Sequence, residues 1–302
     1  MADAVLNGRG AARRPGRSQR RWVPFAYLAP ALVLYAAFLL FPLGRAVQFS
    51  FFEWDGLGAS TFVGLDNYVE IARNGQLREA FWHALVLIIF FAVIPLLIGL
   101  VLAAILTRSN VRGLGFFRTI IFLPQVIAMV VVAVTWRQIY APDGPLNQFL
   151  RAIGLDALTR AWLGDYVWTL PAVGLIGTWV STGLVTVLLM AGMSRTPREL
   201  YEAARLDGAG AVREFFALTL PSVRGEITVA LTLTIVAALK TFDLVYVTTR
   251  GGPGNSTTVP SYEVYRRAFE LGEVGAAAAV GIVLTVIVFA INALVNVIGE
   301  KK

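Results

Sequence analysis

The sequence predicts an all-α fold: a polytopic integral membrane bundle of six transmembrane helices with both termini cytoplasmic. Three observations carry that expectation. Of 302 residues, 57% are hydrophobic and only 15% are charged, against about 25% charged in soluble domains. The charges punctuate the chain and leave six long stretches almost free of them. These stretches do not alternate polar and apolar residues as membrane β-strands do.

Residues 22–44 carry no charge between Arg21 and Arg45 and form the first expected span. The second, 80–107, lies between Glu79 and Arg108, and the third, 116–137, surrounds the charge-free run 119–136. The fourth (166–194) and the sixth (274–299) are equally clean, while the fifth, 224–249, is apolar from residue 227 onward except for Lys240 and Asp243. A helix rising about 1.5 Å per residue crosses a ~30 Å hydrocarbon core in about 20 residues. The third run is short and gains length from its flanks. Pro30, Pro42, Pro95, Pro124 and Pro171 sit in or beside spans, where neighbouring helices are expected to satisfy the freed backbone groups.

Orientation follows from arginine and lysine. With the N-terminus inside, segments 1–21, 107–118, 192–226 and 299–302 hold 16 basic residues, and the longer opposite segments hold 9. The positive-inside rule then places both termini in the cytoplasm. The 23 uncharged residues of the first span are long for a signal-peptide core, and no small-x-small cleavage site follows. Residues 1–21 therefore read as a retained basic cytoplasmic tail before a transmembrane domain at 22–299.

Several chemistries are excluded. Cysteine is absent and His83 is the single histidine, so a thiolate or multi-histidine metal site and a cysteine nucleophile have no ligands here; His83 reads as a satisfied interfacial residue. The net charge of +7 is spread through membrane loops and not gathered on one face, which sets nucleic acid aside. No G-x-x-x-x-G-K-[ST] loop is present, because Lys240-Thr241 follows Leu239; no G-x-S-x-G elbow or H-E-x-x-H pair occurs either. The chain is expected to bind no cofactor and to catalyse no reaction of its own. If ATP drives it, another polypeptide binds the ATP.

Between the fourth and fifth spans lies "RTPRELYEAARLDGAGAVREFFALTLP". Thr196 is the expected N-cap with Glu199 as its capping-box partner, and Pro197 suits the first turn. Leu200, Ala203, Ala204 and Asp207 fall at helical spacing before Gly208 ends the helix. A second helix is expected to carry Val212, Phe215, Phe216 and Thr219 on one face until Pro221 stops it.

The run "EAARLDGAG…LTLP" resembles the coupling loop of ABC importer permeases, E-A-A, two residues, D-G-A and then L-P. The resemblance implies a short coupling helix, within loop 196–221, seated in a cleft of a separate cytoplasmic ATPase. Glu202, Ala203, Ala204, Asp207, Gly208, Ala209, Leu220 and Pro221 all match the pattern, with Glu202 and Gly208 in the contact and turn roles. "YLAPALVLYAAFLLFPLGRAVQFSFFEW", "FLPQVIAMVVVAVTWRQIYAPDGPLNQFL" and "FDLVYVTTRGGPGNST" are similar to carbohydrate-uptake permeases of the maltose, glycerol-3-phosphate and oligosaccharide group. The Gly251-Gly252-Pro253 outer motif points to the first of the two permeases, in a short form without the maltose member's extra N-terminal spans and large periplasmic insertion. The implied partners are a second homologous permease, two copies of an ATPase that uses ATP and Mg, an extracytoplasmic solute-binding protein, the lipid bilayer and a sugar. The implied location is a bacterial or archaeal cytoplasmic membrane.

Two stripes align with the substrate-lining positions of the maltose-type permease: Gly177, Trp179, Val180, Ser181 and Leu184 on the fourth span, and Thr234, Ala238 and Thr241 on the fifth. The asparagines and tyrosine of the maltose site are replaced by Gly177, Ala238, Thr241 and Leu184, so maltose itself is not the expected substrate, and such small residues also serve helix packing. Lys240 and Asp243, three apart on an expected helix, read either as a structural ion pair or as a pair that senses substrate. An importer for a non-sugar solute, an ion-coupled secondary transporter using Lys240 and Asp243 as its relay, and a non-transporting scaffold are the alternative readings.

Overall fold

The computed structural model describes residues 23–108 and 113–300; the basic tail 1–21 and the terminal Lys301 and Lys302 lie outside the described residues. The chain divides into two units at Arg45. The first contains α1 (Val23–Tyr35), a π turn (Ala36–Leu40) and the start of α2 (Phe41–Phe49). Its apolar side chains, Phe25, Leu32 and Phe38 among them, are exposed.

The second unit opens with a small antiparallel ribbon, β1 (Phe52–Glu53) and β2 (Thr61–Phe62), with Phe52 opposite Phe62. This ribbon is the one departure from an all-α fold among the described residues. After α3 (Asp66–Arg73), the Asn74 side chain accepts from the backbone N–H groups of Gln76 and Leu77 at 3.0 and 3.4 Å and caps the long helix formed by α4 (Gly75–Ile88), a π turn (Ile89–Val93) and α5 (Ile94–Arg108). Then follow α6 (Leu114–Val126), α7 (Met129–Ile139), α8 (Pro145–Ala152), a 3₁₀ turn (Asp156–Leu158) and α9 (Thr169–Met193). A hairpin of α10 (Arg198–Leu206) with α11 (Ala211–Glu214), a π turn (Phe215–Thr219) and α12 (Leu220–Ser222) leads to α13 (Arg224–Leu239). The chain closes with α14 (Asp243–Thr248), α15 (Pro260–Tyr265), a π turn (Arg266–Leu271) and α16 (Val274–Glu300).

Among the described residues, four helical segments are long and apolar enough to cross a membrane: Tyr27–Phe49, Gly75–Thr107, Thr169–Met193 and Val274–Gly299. Two bent pairs bring the number to six if each crosses once: Leu114–Val126 with Met129–Ile139, at 96°, and Ala211–Ser222 with Arg224–Leu239, at 69°. The third and fifth apolar stretches are therefore not single straight helices. The third breaks at Ile127 and Ala128, just after Pro124, and the fifth stops at Leu239, ten residues short of its expected end.

The helix-internal prolines explain three of the π turns. Pro42, Pro95 and Pro221 each follow the last residue of a π turn by two positions. A proline has no N–H to give, and its ring crowds the carbonyl four residues back. That carbonyl belongs to Phe38, Phe91 or Ala217, the middle residue of the π turn in each case. Widening that turn moves it aside without ending the helix. The relief is thus largely local. Among the described residues, the Thr178 hydroxyl of α9 helps by donating to the Phe90 carbonyl at 2.6 Å.

Helix α9 is the axis of the second unit. It packs against α5, α6 and the Ile89–Val93 turn, and most of its residues are buried. Asp165 anchors its N-terminal end by accepting from the backbone N–H groups of Val167 and Trp168 at 2.8 and 3.0 Å. Those two bonds, with help from Arg160, hold the Asp165 carboxyl below its ordinary range. A depressed pKa contributes stability that is present above the unfolded value, about 4, and is lost as pH falls through the folded value. Melting of detergent-solubilised protein is expected to show Asp165→Asn less stable than wild type at pH 7, with the difference vanishing in acid.

Candidate functional site

The hairpin at 198–222 is built around one turn. Gly208 has φ +79°, and its N–H donates to the Arg205 carbonyl at 3.0 Å while the Ala209 N–H donates to the Ala204 carbonyl at 2.9 Å. This pair of bonds is a Schellman motif, in which glycine supplies the left-handed residue after the helix. No atom lies within 4 Å of where a Gly208 side chain would begin, so the requirement is conformational and the surface is free. Two side-chain contacts close the hairpin: Arg205 Nε donates to Glu214 Oε1 at 2.9 Å, and the hydroxyls of Tyr201 and Thr219 meet at 3.1 Å. Glu214 and Thr219 are buried.

The hairpin differs from its sequence reading in three respects. The helix begins at Arg198 with Pro197 at the cap position and no side-chain cap bond, so Thr196 does not form the expected capping box. Tyr201 and Ala204 turn inward, whereas Leu200, Ala203 and Asp207 are exposed. Pro221 lies inside the second helix, which continues to Ser222, because the π turn before it absorbs the proline. Val212 and Phe216 point outward, and Phe215 and Leu220 pack against the core around Leu189 and Val223. Glu202, Leu206, Val212 and Phe216 are all exposed, Leu206 to 90%. Ala209 is half-buried and Pro221 exposed.

The two small-residue stripes face the chain's own interior. A side chain on Gly177 would strike the Phe91 ring, and Val180 and Ala238 sit in one core cluster with Leu87 and Phe91. Ser181, Thr234 and Thr241 are buried, and the Thr234 hydroxyl donates to the Ala230 carbonyl at 2.8 Å. Leu184 is half-buried, and Trp179 is the exposed member of its stripe, packed edge-on against Trp136 at 5.6 Å. Thr241 lies beyond the end of α13 and does not continue its stripe. Lys240 and Asp243 likewise fall on either side of the break between α13 and α14. Both are exposed, and among the described residues no ion pair joins them, so the expected one-turn pairing does not form.

The Gly251-Gly252-Pro253 motif makes a compact knot. Gly251 has φ +82°, and a side chain there would meet the Thr258 hydroxyl at 2.6 Å. The Gly252–Pro253 bond is cis. The Thr257 hydroxyl bridges Thr249 Oγ1 at 2.8 Å and the Gly252 carbonyl at 2.9 Å. His83 Nδ1 lies 2.9 Å from the Thr258 carbonyl, tying α4 to the knot and giving the single histidine its partner.

Two clusters escaped the sequence reading. Arg267, 7% exposed, meets Glu70 at 2.9 Å, Glu273 at 3.0 Å and the buried Glu263 at 3.7 Å. An aromatic ladder runs from the α13–α14 break: Phe242 stacks on Tyr246 at 5.2 Å, Tyr265 lies 5.4 and 5.1 Å from these two rings, and Phe269 follows at 5.4 Å from Tyr265. The Arg250 guanidinium lies 5.8 Å from the centre of the Tyr246 ring. Members of both clusters are far apart in sequence, so no local spacing marks them. Separately, a cavity of about 400 Å³ is lined by Arg137, Tyr140, Leu163 and Thr248.

Residues 95–301, more than half of the chain, match the family described as "Binding-protein-dependent transport system inner membrane component". The chain belongs to that family. This permease is similar to the probable ABC transporter permease protein YurN of Bacillus subtilis (strain 168), with 40% identity over 91% of this chain and 95% of the relative. It is also 33% identical to the diacetylchitobiose uptake system permease protein NgcF of Streptomyces coelicolor, over 99% of this chain and 92% of the relative. It shares the fold of a chain in the crystal structure of a bacterial ABC transporter involved in the import of the acidic polysaccharide alginate: TM-score 0.80 at 24% identity, covering 94% of this chain and 97% of that one. The permease is a transport subunit and a multi-pass membrane protein of the binding-protein-dependent importer class.

Proposed function

We propose that this permease forms half of the translocation path of an ATP-driven carbohydrate importer, and that the hairpin 198–222 couples it to a separate ATPase. The observation that carries the coupling role is the hairpin itself. A glycine-dependent turn, locked by Arg205–Glu214 and Tyr201–Thr219, presents Glu202 with Leu206, Val212 and Phe216 outward. A rigid exposed hairpin with apolar residues around a carboxylate suits a protein cleft better than it suits water. With no nucleotide-binding loop in the sequence, the hairpin is the element available to receive work done elsewhere.

In this reading the four long spans, the bent pair Leu114–Val126 with Met129–Ile139, and α13 with α14 give six crossings, with both termini and the hairpin in the cytoplasm of a bacterial or archaeal cell. A second homologous permease completes the path, two copies of the ATPase use ATP and Mg, and an extracytoplasmic binding protein delivers the solute to the opposite face. The carbohydrate class is supported by the diacetylchitobiose named for NgcF. The test is reconstitution of this permease with its companion permease and ATPase in proteoliposomes, with binding protein and sugar supplied at the outer face. Uptake is expected to require ATP inside the vesicle. Uptake driven by an ion gradient without ATP would overturn the reading.

A further inference from the structure

We propose that the aromatic ladder Phe242–Tyr246–Tyr265–Phe269 is the surface on which a ring-bearing carbohydrate slides through this subunit. The proposal rests on the importer reading above and moves the sugar contacts away from the small-residue stripes, which Phe91 and its neighbours close.

The first argument concerns the break beside the ladder. Residues 240–242 are not helical and lie between α13 and α14, within the expected fifth span. Lipid tolerates irregular backbone only where protein covers it or water reaches it. Thr241 is covered, but Lys240 and Asp243 are exposed and, among the described residues, have no ion partner. A charge facing lipid costs at least ~2.5 kcal/mol on insertion scales. Two such charges three residues apart therefore mark an aqueous surface.

The ladder begins at that point. Phe242, Tyr246 and Tyr265 pack one side against the core and leave the other partly open, and Phe269 is 78% exposed. The Tyr246 and Tyr265 hydroxyls lie 3.5 Å apart along one edge, and Arg250 sits against the Tyr246 ring. Flat apolar faces with hydroxyls and charges at their edges match a pyranose ring, which has apolar C–H faces and a rim of hydroxyls. A three-carbon polyol phosphate has no such face. An interfacial aromatic belt would use the same residue types, but it would set them against lipid headgroups and not beside two unpaired charges.

The chain contains no cysteine, so each introduced thiol is unique in it. The experiment places Asp243→Cys, Tyr246→Cys and Val286→Cys separately in the full assembly in membranes and treats each with a membrane-impermeant sulfonatoethyl methanethiosulfonate. Thiols at 243 and 246 are expected to react, and the one at 286, 61% exposed on the apolar helix α16, is not. Uptake of labelled diacetylchitobiose and sn-glycerol-3-phosphate is then compared in Tyr246→Ala and Tyr246→Phe. The alanine variant is expected to lose disaccharide uptake by about tenfold, as ~1.4 kcal/mol of lost stacking would give, and phenylalanine is expected to retain it. Inert thiols at both 243 and 246 would mean that lipid or a partner subunit covers the ladder, and this overturns the proposal. So does selective uptake of the polyol phosphate, or wild-type disaccharide uptake by Tyr246→Ala. Thiol labelling needs no ATP, so it separates failure of the ladder from failure of the importer reading.

Discussion

Glu202→Lys is expected to reduce ATP-driven uptake by more than tenfold while the protein still inserts and folds. Glu202 is exposed on α10, on the side away from the inward-facing Tyr201 and Ala204. Among the described residues its carboxylate makes no hydrogen bond or ion pair, so the hairpin does not depend on it. A lysine places positive charge where the proposed ATPase cleft receives a carboxylate, and each 1.4 kcal/mol of lost coupling is about tenfold. Gly208 provides an independent probe of the same element. At φ +79° an alanine carries a left-handed penalty of about 1 kcal/mol, whereas asparagine tolerates that conformation. Gly208→Pro, which also deletes the N–H that bonds to the Arg205 carbonyl, is expected to abolish uptake, and Gly208→Asn to retain most of it. The measurements are sugar uptake and ATP hydrolysis in proteoliposomes, with insertion checked by protease protection. Full transport by both Glu202→Lys and Gly208→Pro would remove the coupling role.

Arg267→Ala is expected to lower stability far more than Asp165→Asn does. Arg267 joins three segments: Glu70 on α3, Glu263 on α15 and Glu273 just before α16. Glu263 is 1% exposed and also pairs with Arg266 at 3.0 Å. Arg267→Ala leaves Glu263 with Arg266 alone and leaves the half-exposed Glu70 and Glu273 to water, so the loss is expected to fall below the about 3–5 kcal/mol of a fully stranded buried charge. Replacing the pair by apolar residues of similar size removes that penalty, so Glu263→Leu combined with Arg267→Met is expected to recover most of the stability. Thermal unfolding in detergent compares wild type, the single variant and the double variant. If Arg267→Ala melts with wild type, the cluster is a solvated surface feature and not a clasp.

How far the fold could be read from the sequence depended on the distance between the residues involved. The apolar runs, the hairpin and its Gly208 stop are local patterns, and the structure reproduces four of the six runs as long helices together with the hairpin and its stop. The breaks at Ile127 and Lys240 were missed for a different reason. Charge-free length specifies where a helix could run in lipid but does not show where it bends. The Lys240–Asp243 pairing failed with the helix that was meant to align it. Gly177 and Ala238 illustrate a third limit: a small residue reads alike as path lining or as helix packing, and only the position of Phe91 decides. Arg267 with Glu70, and Tyr246 with Tyr265, come together across turns that no spacing rule connects. The Arg205–Glu214 bond is closer in sequence, but two opposite charges nine residues apart with glycines between them signal a hairpin only after the turn is known.

The proline-linked π turns bear on how relatives of this chain should be aligned. A π turn holds one residue more than the α turn it replaces, so in an alignment each behaves as a single-residue insertion that shifts the following helical face by about 100°. A relative without proline at the position of Pro42, Pro95 or Pro221 has no need of the extra residue. It could lose one position between 36 and 40, 89 and 93, or 215 and 219 and keep the same faces buried downstream. One-residue gaps at these places are therefore genuine changes of register. An alignment that closes them by sliding whole helices would assign lining and packing residues to the wrong side.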